Sequence, residues 1–417
     1  MNDKPDWTGS RLEVEVGSAA HGGHCVARHE GRVVFVRHAL PGETVVVEIT
    51  EDKGGGFCRG DAVEVRSAAA GRVTPPCPLA DPARGTRRCG GCDWQHADGE
   101  TQLELKSSVV TEQLRRIAGI DHPVEVRALP GGLLRWRSRA RTAVDGEGRP
   151  GFRVHRSHEV IPITDCPITM EAAVGAVTSR DWSPDSEVEV TQDVDDEVHV
   201  TAHTRDPRRG RVKRASQRVQ GGEFAREEAV GRSWNVSAHG FWQVHPAAAD
   251  AFAATVARMA ATPFGGTAWD LYAGVGLFAS VLAEQVGPAG AVLAVESARS
   301  AVRDATANLS DLPQVGFRSG PVEKVLGGRD LGAADPDVVV LDPPRKGAGR
   351  EVVEAISARR PTRIVHVACD PAALARDVGL FVEQGYRLGE IEAFDAFPMT
   401  HHVESLALLE RDVDYAE

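Results

Sequence analysis

The first 67 residues contain short stretches in which apolar and polar side chains alternate. These stretches are 11–16, 31–36, 43–50 and 60–65, and glycine-rich turns separate them. Alternation with a period of two is typical of strands with one buried face, and several short strands joined by such turns favour a small antiparallel barrel. Residues 1–67 are therefore predicted to form one β-barrel unit.

A helical period appears in the next unit, residues 68–236. Four apolar residues share one face of a helix drawn over 101–118, with charged side chains opposite: Leu103, Val110, Leu114 and Ile117. Gly119 ends the pattern, as glycine commonly does at a helix terminus. We expect an amphipathic helix here, within a mixed α+β central domain.

From about His239 onward, strand and helix patterns alternate, which indicates a Rossmann-like α/β domain over residues 237–417. A first strand from Thr267 turns through glycines into a helix after Leu277. Further apolar runs end at Val295, Leu341 and Ala368, and the last run is predicted to be a buried parallel strand. The closing segment is expected to be a loop that enters a final antiparallel strand.

Four side chains with chemical potential fall where these strands end. Glu296, Asp342 and Cys369 each follow an apolar run, and Glu404 stands at the start of the final strand. Ligands of open α/β sheets bind outside the carboxyl ends of the strands, and an antiparallel last strand would begin at that same edge. A lone cysteine is more often a small buried hydrophobe than a reactive group. Its convergence with three acids favours a functional site.

The glycine turn after the first strand indicates the ligand. Gly274 and Gly276 would let the backbone approach a bound molecule closely, and Glu296, about 20 residues on, could accept hydrogen bonds from ribose hydroxyls. With Asp270 nearby, this arrangement suggests an adenosine-containing ligand. The missing third glycine favours S-adenosylmethionine over a dinucleotide.

The Asp342-Pro343-Pro344 sequence would form a rigid edge beside that ligand, suited to holding a flat base. Arg345 follows, where an aromatic residue would be expected in an enzyme that methylates exocyclic amines. The difference points to another acceptor atom.

A net charge of −12 over 417 residues argues against a surface that binds nucleic acid everywhere, so RNA contacts would need local basic patches. One candidate patch is a row on a predicted strand: Arg135, Arg137, Arg139 and Arg141. A second lies in residues 205–218, predicted to be a loop. Either set could instead be a solvated face. No apolar run approaches the length of a membrane span, so we expect a cytoplasmic protein with no membrane partner. We also expect a monomer whose partner is RNA.

Seven cysteines in a reducing compartment indicate metal binding or catalysis rather than disulfides. Four of them could form one metal site: Cys77, Cys89, Cys92 and Cys166. One Cys-x-x-Cys knuckle joined by two isolated cysteines is more typical of an iron-sulfur cluster than of zinc, which usually takes two knuckles. Zinc and free thiols remain alternatives. Cys25 and Cys58 are expected to pack inside the barrel.

Several motifs carry a family resemblance. Residues 22–28, 33–36 and 40–43 resemble the TRAM module, an OB-like RNA-binding barrel. Later segments, in order, resemble the uridine-C5 RNA methyltransferases: Phe241-Trp242-Gln243, Asp270-Leu271-Tyr272 with Gly274 and Gly276, Asp342 to Gly347, Ala368-Cys369-Asp370-Pro371 and His402-Val403-Glu404. The Cys89-Gly90-Gly91-Cys92 segment is similar to that of the branch that carries a cluster.

This resemblance implies a class I methyltransferase domain, a four-iron, four-sulfur cluster and a set of roles. Gln243, Tyr272, Glu296 and Asp342, with the two glycines of the turn, would bind S-adenosylmethionine. Cys369 would be the nucleophile and Glu404 the base. Some positions depart from the common pattern: Ala273, Leu277, Asp370 and the long interval between Cys77 and Cys89.

The implied reaction is transfer of a methyl group to carbon 5 of a uridine in rRNA or tRNA, through a covalent bond between the cysteine and carbon 6. Carbon 5 is too weak a nucleophile alone, and thiolate addition turns the base into an enolate. Two alternatives remain: an RNA-binding or assembly factor without catalysis, and a cytosine-C5 RNA methyltransferase. The second generally uses another cysteine in the Asp-Pro-Pro loop, and residues 342–347 contain none.

Overall fold

The computed structural model describes residues 6–206, 213–328 and 334–411. Its first part is a closed barrel of five strands in the order β1-β2-β3-β5-β4, in which β3 and β5 run parallel. The strands are β1 Arg11–Ala20, β2 His24–His29, β3 Arg32–Arg37, β4 Thr44–Asp52 and β5 Phe57–Ser67. Valines at alternate positions fill the interior, which is why the period of two revealed four of the strands. Sequence periodicity missed β2 because its polar ends conceal the alternation.

The central part is built on a six-stranded sheet in the order β12-β11-β10-β7-β8-β9. Its helices and strands are α1 Gly99–Gln113, a π-helical turn Leu114–Ala118, β6 Val126–Ala128, β7 Arg139–Val144, β8 Pro150–Arg153, β9 Val160–Pro162, α2 Glu171–Thr178, β10 Glu187–Gln192, β11 Val198–Asp206 and β12 Lys213–Gln220. Short 3₁₀ turns at Pro78–Ala80 and Pro82–Arg84 occupy the long interval between the first two cysteines of the predicted metal set. The second basic stretch lies partly in β11 and β12, and its residues 207–212 fall outside the described residues.

Helix α1 follows the predicted amphipathic pattern only in part. Val110 and Leu114 are fully buried, whereas Ile117 is exposed. Lys106, expected on the charged face, is also fully buried, because its Nζ atom donates to Asp395 Oδ1 at 2.5 Å and to the Phe397 carbonyl at 3.1 Å. A buried charge requires such a partner. Helix α1 is therefore an internal support for the 395–397 segment.

The last part contains a β-hairpin and an eight-stranded sheet in the order β17-β16-β15-β18-β19-β21-β20-β6. Its elements are β13 Phe224–Ala229, β14 Arg232–Ser237, α3 Ala248–Ala260, β15 Thr267–Leu271, α4 Leu277–Val286, β16 Ala291–Glu296, α5 Arg299–Asn308, β17 Val315–Ser319, α6 Val322–Leu326, β18 Val338–Leu341, α7 Arg350–Ser357, β19 Arg363–Ala368, α8 Pro371–Glu383, β20 Tyr386–Asp395 and β21 Glu404–Arg411. Strands β15 to β19 are mutually parallel, whereas β21 is antiparallel to β19. The predicted α/β class with an N-terminal barrel is confirmed.

Strand β6 comes from the central part of the chain but joins the outer edge of this sheet, parallel to β20. Apolar clusters cover both faces of the sheet, with Phe252 and Leu282 on one side and Leu374 and Phe381 on the other. The division of the chain at 67/68 and 236/237 remains a prediction. Within the described residues, no helix is long and apolar enough to cross a membrane.

Candidate active site

One edge of the eight-stranded sheet collects the side chains that the sequence singled out. Cys369 directly follows β19, Asp342 follows β18, Glu296 ends β16 and Tyr272 follows β15. These four strands are parallel neighbours, so their carboxyl ends lie together. Glu404 opens antiparallel β21, and the register that pairs Ser405 with Ala368 brings it to the same edge.

The glycine turn after β15 has the geometry of a ligand cradle. Gly274 has a φ of +55°, and an added Cβ would meet nothing within 4 Å, so space is open above this backbone. Its N–H donates to Glu296 Oε2 at 3.0 Å, while Oε1 accepts from the Ala298 N–H at 2.6 Å. Gly276, with a φ of +90°, caps α4, and a Cβ there would approach Leu309 to 2.8 Å. Glycine is required at both positions for conformational reasons.

Several acidic side chains lie close together at this edge. Burial, assisted by Asp342 and Glu296, raises the pKa of Asp270 to about 8. Burial and neighbouring Glu296 also raise the pKa of Asp342. Such acids gain from a cation placed beside them, because it offsets the cost of their charged form. The arrangement fits the sulfonium and ammonium groups of S-adenosylmethionine.

Cys369 and Glu404 interact electrostatically at this edge. Burial raises the pKa of the Cys369 thiol to about 12, with Glu404 and Asp342 adding to the effect. Burial and Asp342 raise the pKa of Glu404 well above its ordinary value, while Arg345 opposes this shift. Without a ligand, the thiol and the carboxyl group are therefore both held in their neutral forms.

The barrel reaches the site beside Cys369. Asp370 caps helix α8 by accepting the Ala373 N–H at 2.8 Å, and Pro371 occupies the first turn. The Oδ2 atom of Asp370 also lies 3.0 Å from Nε2 of His21, in the turn of the first barrel hairpin. The Asp-Pro pair is a sequence signal for the capping role of Asp370. No such signal points to its partner His21, which lies 349 residues earlier in the chain.

The loop before Glu404 makes polar contacts that motif reasoning did not predict. The Nδ1 atom of His401 lies 2.6 Å from Asp93 Oδ2, and Arg37 of the barrel donates to Asp93 Oδ1 at 3.1 Å. Although burial opposes it, the hydrogen bond from His401 holds the pKa of Asp93 well below its usual range. His402 lies 3.3 Å from Arg345, and burial lowers the pKa of its imidazole to about 3.

Gln243 lies in the segment before α3, between two parts of the site. Trp242 belongs to the core cluster that also contains Ala273 and Val275 of the glycine turn. On the other side, Val244 packs against a small cluster that contains Met399, in the loop that leads to Glu404. Gln243 is half-buried between these contacts. Its assignment as a donor ligand remains a prediction.

The four candidate metal-binding cysteines line one small cavity: Cys77, Cys89, Cys92 and Cys166. Phe152, Ile163 and Ile168 complete an apolar wall. Burial raises the pKa of Cys89 to about 11 and also raises the pKa of Cys92. Cys25 and Cys58 lie in the barrel core, away from this cavity.

The prediction that the four arginines lie on one strand face is wrong, and their binding of phosphates remains a prediction. Strand β7 begins only at Arg139, and Arg135 lies outside it with a φ of +56°. Arg135 pairs with Asp165 at 2.8 Å, Arg139 with Glu227 at 2.6 Å, and Arg141 with Glu189. Three of the four guanidinium groups thus form ion pairs with carboxylates of the same chain.

Comparison with known proteins matches two family models to the chain. The TRAM domain model covers residues 7–63, and the tRNA (uracil-5-)-methyltransferase model covers residues 323–412. The TRAM match agrees with the closed barrel.

Relatives that match nearly the whole chain are described as RNA methyltransferases. A protein of Streptomyces coelicolor named as an uncharacterized RNA methyltransferase is 46% identical, over 96% of this chain and 93% of its own. A Corynebacterium efficiens protein with the same description is 39% identical, over 98% and 96% respectively. A crystal structure of Pyrococcus abyssi tRNA (uracil-54, C5)-methyltransferase with S-adenosyl-L-homocysteine superposes with a TM-score of 0.71. It covers 95% of this chain and 100% of that one at 22% identity, which is a likeness of fold.

Proposed function

The chain belongs to the uridine-C5 RNA methyltransferase family, and from that premise we propose that it methylates carbon 5 of a uridine in structured rRNA or tRNA. Methylation of RNA with S-adenosylmethionine is the activity at family level. The proposal concerns the target atom and the mechanism. The observation that carries it is the convergence of Cys369 and Glu404 on the sheet edge that holds the acidic cradle.

In this mechanism Cys369 reacts as the thiolate: its sulfur forms a bond to carbon 6 of the uracil, and the double bond between carbons 5 and 6 opens. Carbon 5 becomes the nucleophilic end of an enolate, and bound S-adenosylmethionine supplies the methyl group that it takes. Glu404 then removes the proton from carbon 5, the carbon 6–sulfur bond breaks, and the thiolate is released. The pyrimidine must leave its stack to reach such a pocket.

The electrostatics support this order of events. Three acids and burial keep the Cys369 thiol protonated before substrates bind, which protects it from side reactions. A cation brought to the edge would lower the pKa of every neighbouring acid, and Arg345 already acts in this direction on Cys369 and Glu404. Donor binding thus favours the charged forms that chemistry requires.

Total RNA from a strain lacking this gene tests the function directly. The purified protein should transfer label from S-[methyl-³H]adenosylmethionine to that RNA, and nuclease digestion should yield 5-methyluridine at one or a few mapped positions. Labelled 5-methylcytidine would instead establish the cytosine-C5 alternative. RNA binding without transfer would support the assembly-factor alternative.

Donor affinity should depend on pH because Asp270 and Asp342 have raised pKa values. A cation binds the deprotonated acids better, so affinity should rise from about pH 5 to about pH 8, by at most about tenfold per unit for each group. Calorimetric titration measures this slope, and Asp342→Asn should flatten it. S-adenosylhomocysteine, which has no sulfonium charge, is the matched ligand and should show a shallower slope. Affinity that falls with pH would contradict the role of these acids.

We also propose that the cysteine cavity holds a four-iron, four-sulfur cluster. A zinc ion with sulfur bonds of about 2.3 Å brings its tetrahedral sulfurs within about 3.8 Å of each other. In the described part of the chain, no three of the four sulfurs lie within 4.8 Å of one another. The wider spacing and the apolar wall suit a larger inorganic core, which the thiolates of all four cysteines would hold.

Protein purified without oxygen should therefore contain about four irons per chain by elemental analysis. Cys89→Ser should lower the yield of folded protein before it lowers turnover of the surviving molecules, because these cysteines lie outside the sheet edge that carries Cys369. The matched control is Cys58→Ser in the barrel core, which should keep its iron. Stoichiometric zinc without iron would refute the cluster.

A further inference from the structure

The loop between β20 and β21 contains a strained residue close to the catalytic position. Met399 has a φ of +68° and is buried, although it is not glycine. Side chains disfavour this left-handed region, and such residues persist only where their surroundings hold them. Glu404 follows five residues later. The contacts of Met399 therefore help to determine where the predicted base is placed.

Within the described residues, the backbone hydrogen bonds of Met399 all join it to one short stretch of the central part of the chain, residues 93–102. The Met399 N–H donates to Gln102 Oε1 at 2.7 Å. Its carbonyl accepts the N–H groups of Asp93 and Trp94, each at 3.0 Å. The strained turn is thus held by Gln102 of helix α1 on one side and by Asp93 and Trp94, which directly follow the Cys89–Cys92 knuckle, on the other.

Asp93 extends this grip to the next turn of the loop. Its Oδ2 atom accepts from both the Nδ1 atom of His401, at 2.6 Å, and the His401 N–H, at 3.2 Å. Its Oδ1 atom accepts from Arg37 at the end of barrel strand β3. One buried carboxylate therefore ties the barrel, the cysteine knuckle and the loop before Glu404 together.

We infer that Asp93 is a positioning residue for the catalytic base: it fixes the 399–402 turn so that Glu404 meets the proton on carbon 5. This inference rests on the proposed function, in which Glu404 performs that step. Cys369 directly follows a different element, β19, so a loosened turn should impair proton removal more than nucleophilic attack. The two steps can be measured separately.

RNA extracted from cells grown with 5-fluorouracil separates attack and methyl transfer from the later removal of the carbon 5 proton. Fluorine on carbon 5 cannot be removed as a proton, so attack and methylation should end in a stable protein–RNA adduct without any help from the base. Total RNA from the gene-deletion strain reports the complete cycle. The wild-type protein must form the adduct on fluorinated RNA, and its failure to do so would refute the proposed function before any variant is made.

With Asp93→Asn, adduct formation on fluorinated RNA should stay within about twofold of the wild-type rate, while turnover on ordinary RNA falls by about tenfold or more. A methylated adduct should accumulate on the ordinary RNA. Amide hydrogen exchange should quicken at Met399 and His401, a readout that needs no activity. Gln102→Leu removes the other support of Met399 and should give the same pattern, which covers the case of an Asp93 variant that does not fold.

The matched control is Asp98→Asn. Asp98 lies in the same stretch and caps α1 by accepting the Thr101 N–H at 2.8 Å. Because asparagine caps a helix about as well as aspartate, this variant should change the melting temperature little and leave turnover, adduct levels and exchange at Met399 unchanged. Equal slowing of both steps in Asp93→Asn, or unchanged turnover in that variant, would overturn the positioning role.

Discussion

Cys369→Ala is expected to abolish both methyl transfer and covalent capture of RNA. Without the thiol, carbon 6 receives no nucleophile, and carbon 5 never becomes reactive enough to take the methyl group. We expect a loss of at least about 10³-fold in turnover, to the background of the assay, since the covalent step has no substitute in the mechanism. Scintillation counting of labelled RNA and denaturing electrophoresis measure the two outcomes.

A cysteine elsewhere provides the control for this experiment. Cys58 is buried in the barrel core, where its substitution by alanine should cost some stability through lost packing and leave methylation intact. Donor binding by Cys369→Ala should also persist, because the cradle lies on β15, β16 and β18. If Cys369→Ala still methylated uridine, the covalent mechanism would be wrong.

Glu404→Gln is expected to add the methyl group and then stop. The amide keeps the shape of the carboxyl group but cannot accept the proton from carbon 5, so the thiol cannot be eliminated. Turnover should fall by about 10²- to 10⁴-fold, the usual range for a lost general base. A protein–RNA adduct that carries donor label should survive denaturing electrophoresis.

The fold should tolerate this substitution well. Burial and Asp342 raise the pKa of Glu404, so the folded protein holds it as a neutral acid that glutamine resembles. For an acid with a raised pKa, the folded state loses stability as the pH rises above the unfolded value near 4, because burial disfavours the charge. The melting temperature of Glu404→Gln relative to wild type should therefore increase with pH. Near-normal turnover would instead transfer the role of base to His401 or His402.

The sheet edge that carries the candidate active site could be predicted from the sequence because local patterns determine it. The run before Cys369 is short, continuous and apolar, which marks a parallel strand buried on both faces, and the end of such a strand locates the cysteine. The same logic placed Asp342 and Glu296. Antiparallel β21 then brought Glu404 to the same edge, as expected.

Contacts between distant segments were not accessible, since no local pattern encodes them. Asp93 and His401 are 308 residues apart, and neither the cysteine knuckle nor the motif around Glu404 indicates the other. The arginine row failed for a related reason. Its alternation was visible, but Glu189 and Glu227, which neutralise two of its members, lie on other strands.

The buried pair of Lys106 and Asp395 has a consequence for synthesis on the ribosome. The two residues are 289 positions apart, so at about 5–20 residues per second the lysine emerges roughly 15–60 s before its partner exists. One side of α1 can pack on the completed barrel through Leu105 and Val109, but the side at Val110 and Leu114 awaits Ala375, Ala393 and Val403. A nascent chain thus exposes this helix until its last strands are translated. Emergence of residues 375–403, rather than emergence of the central segment, sets the time at which that segment can finish folding.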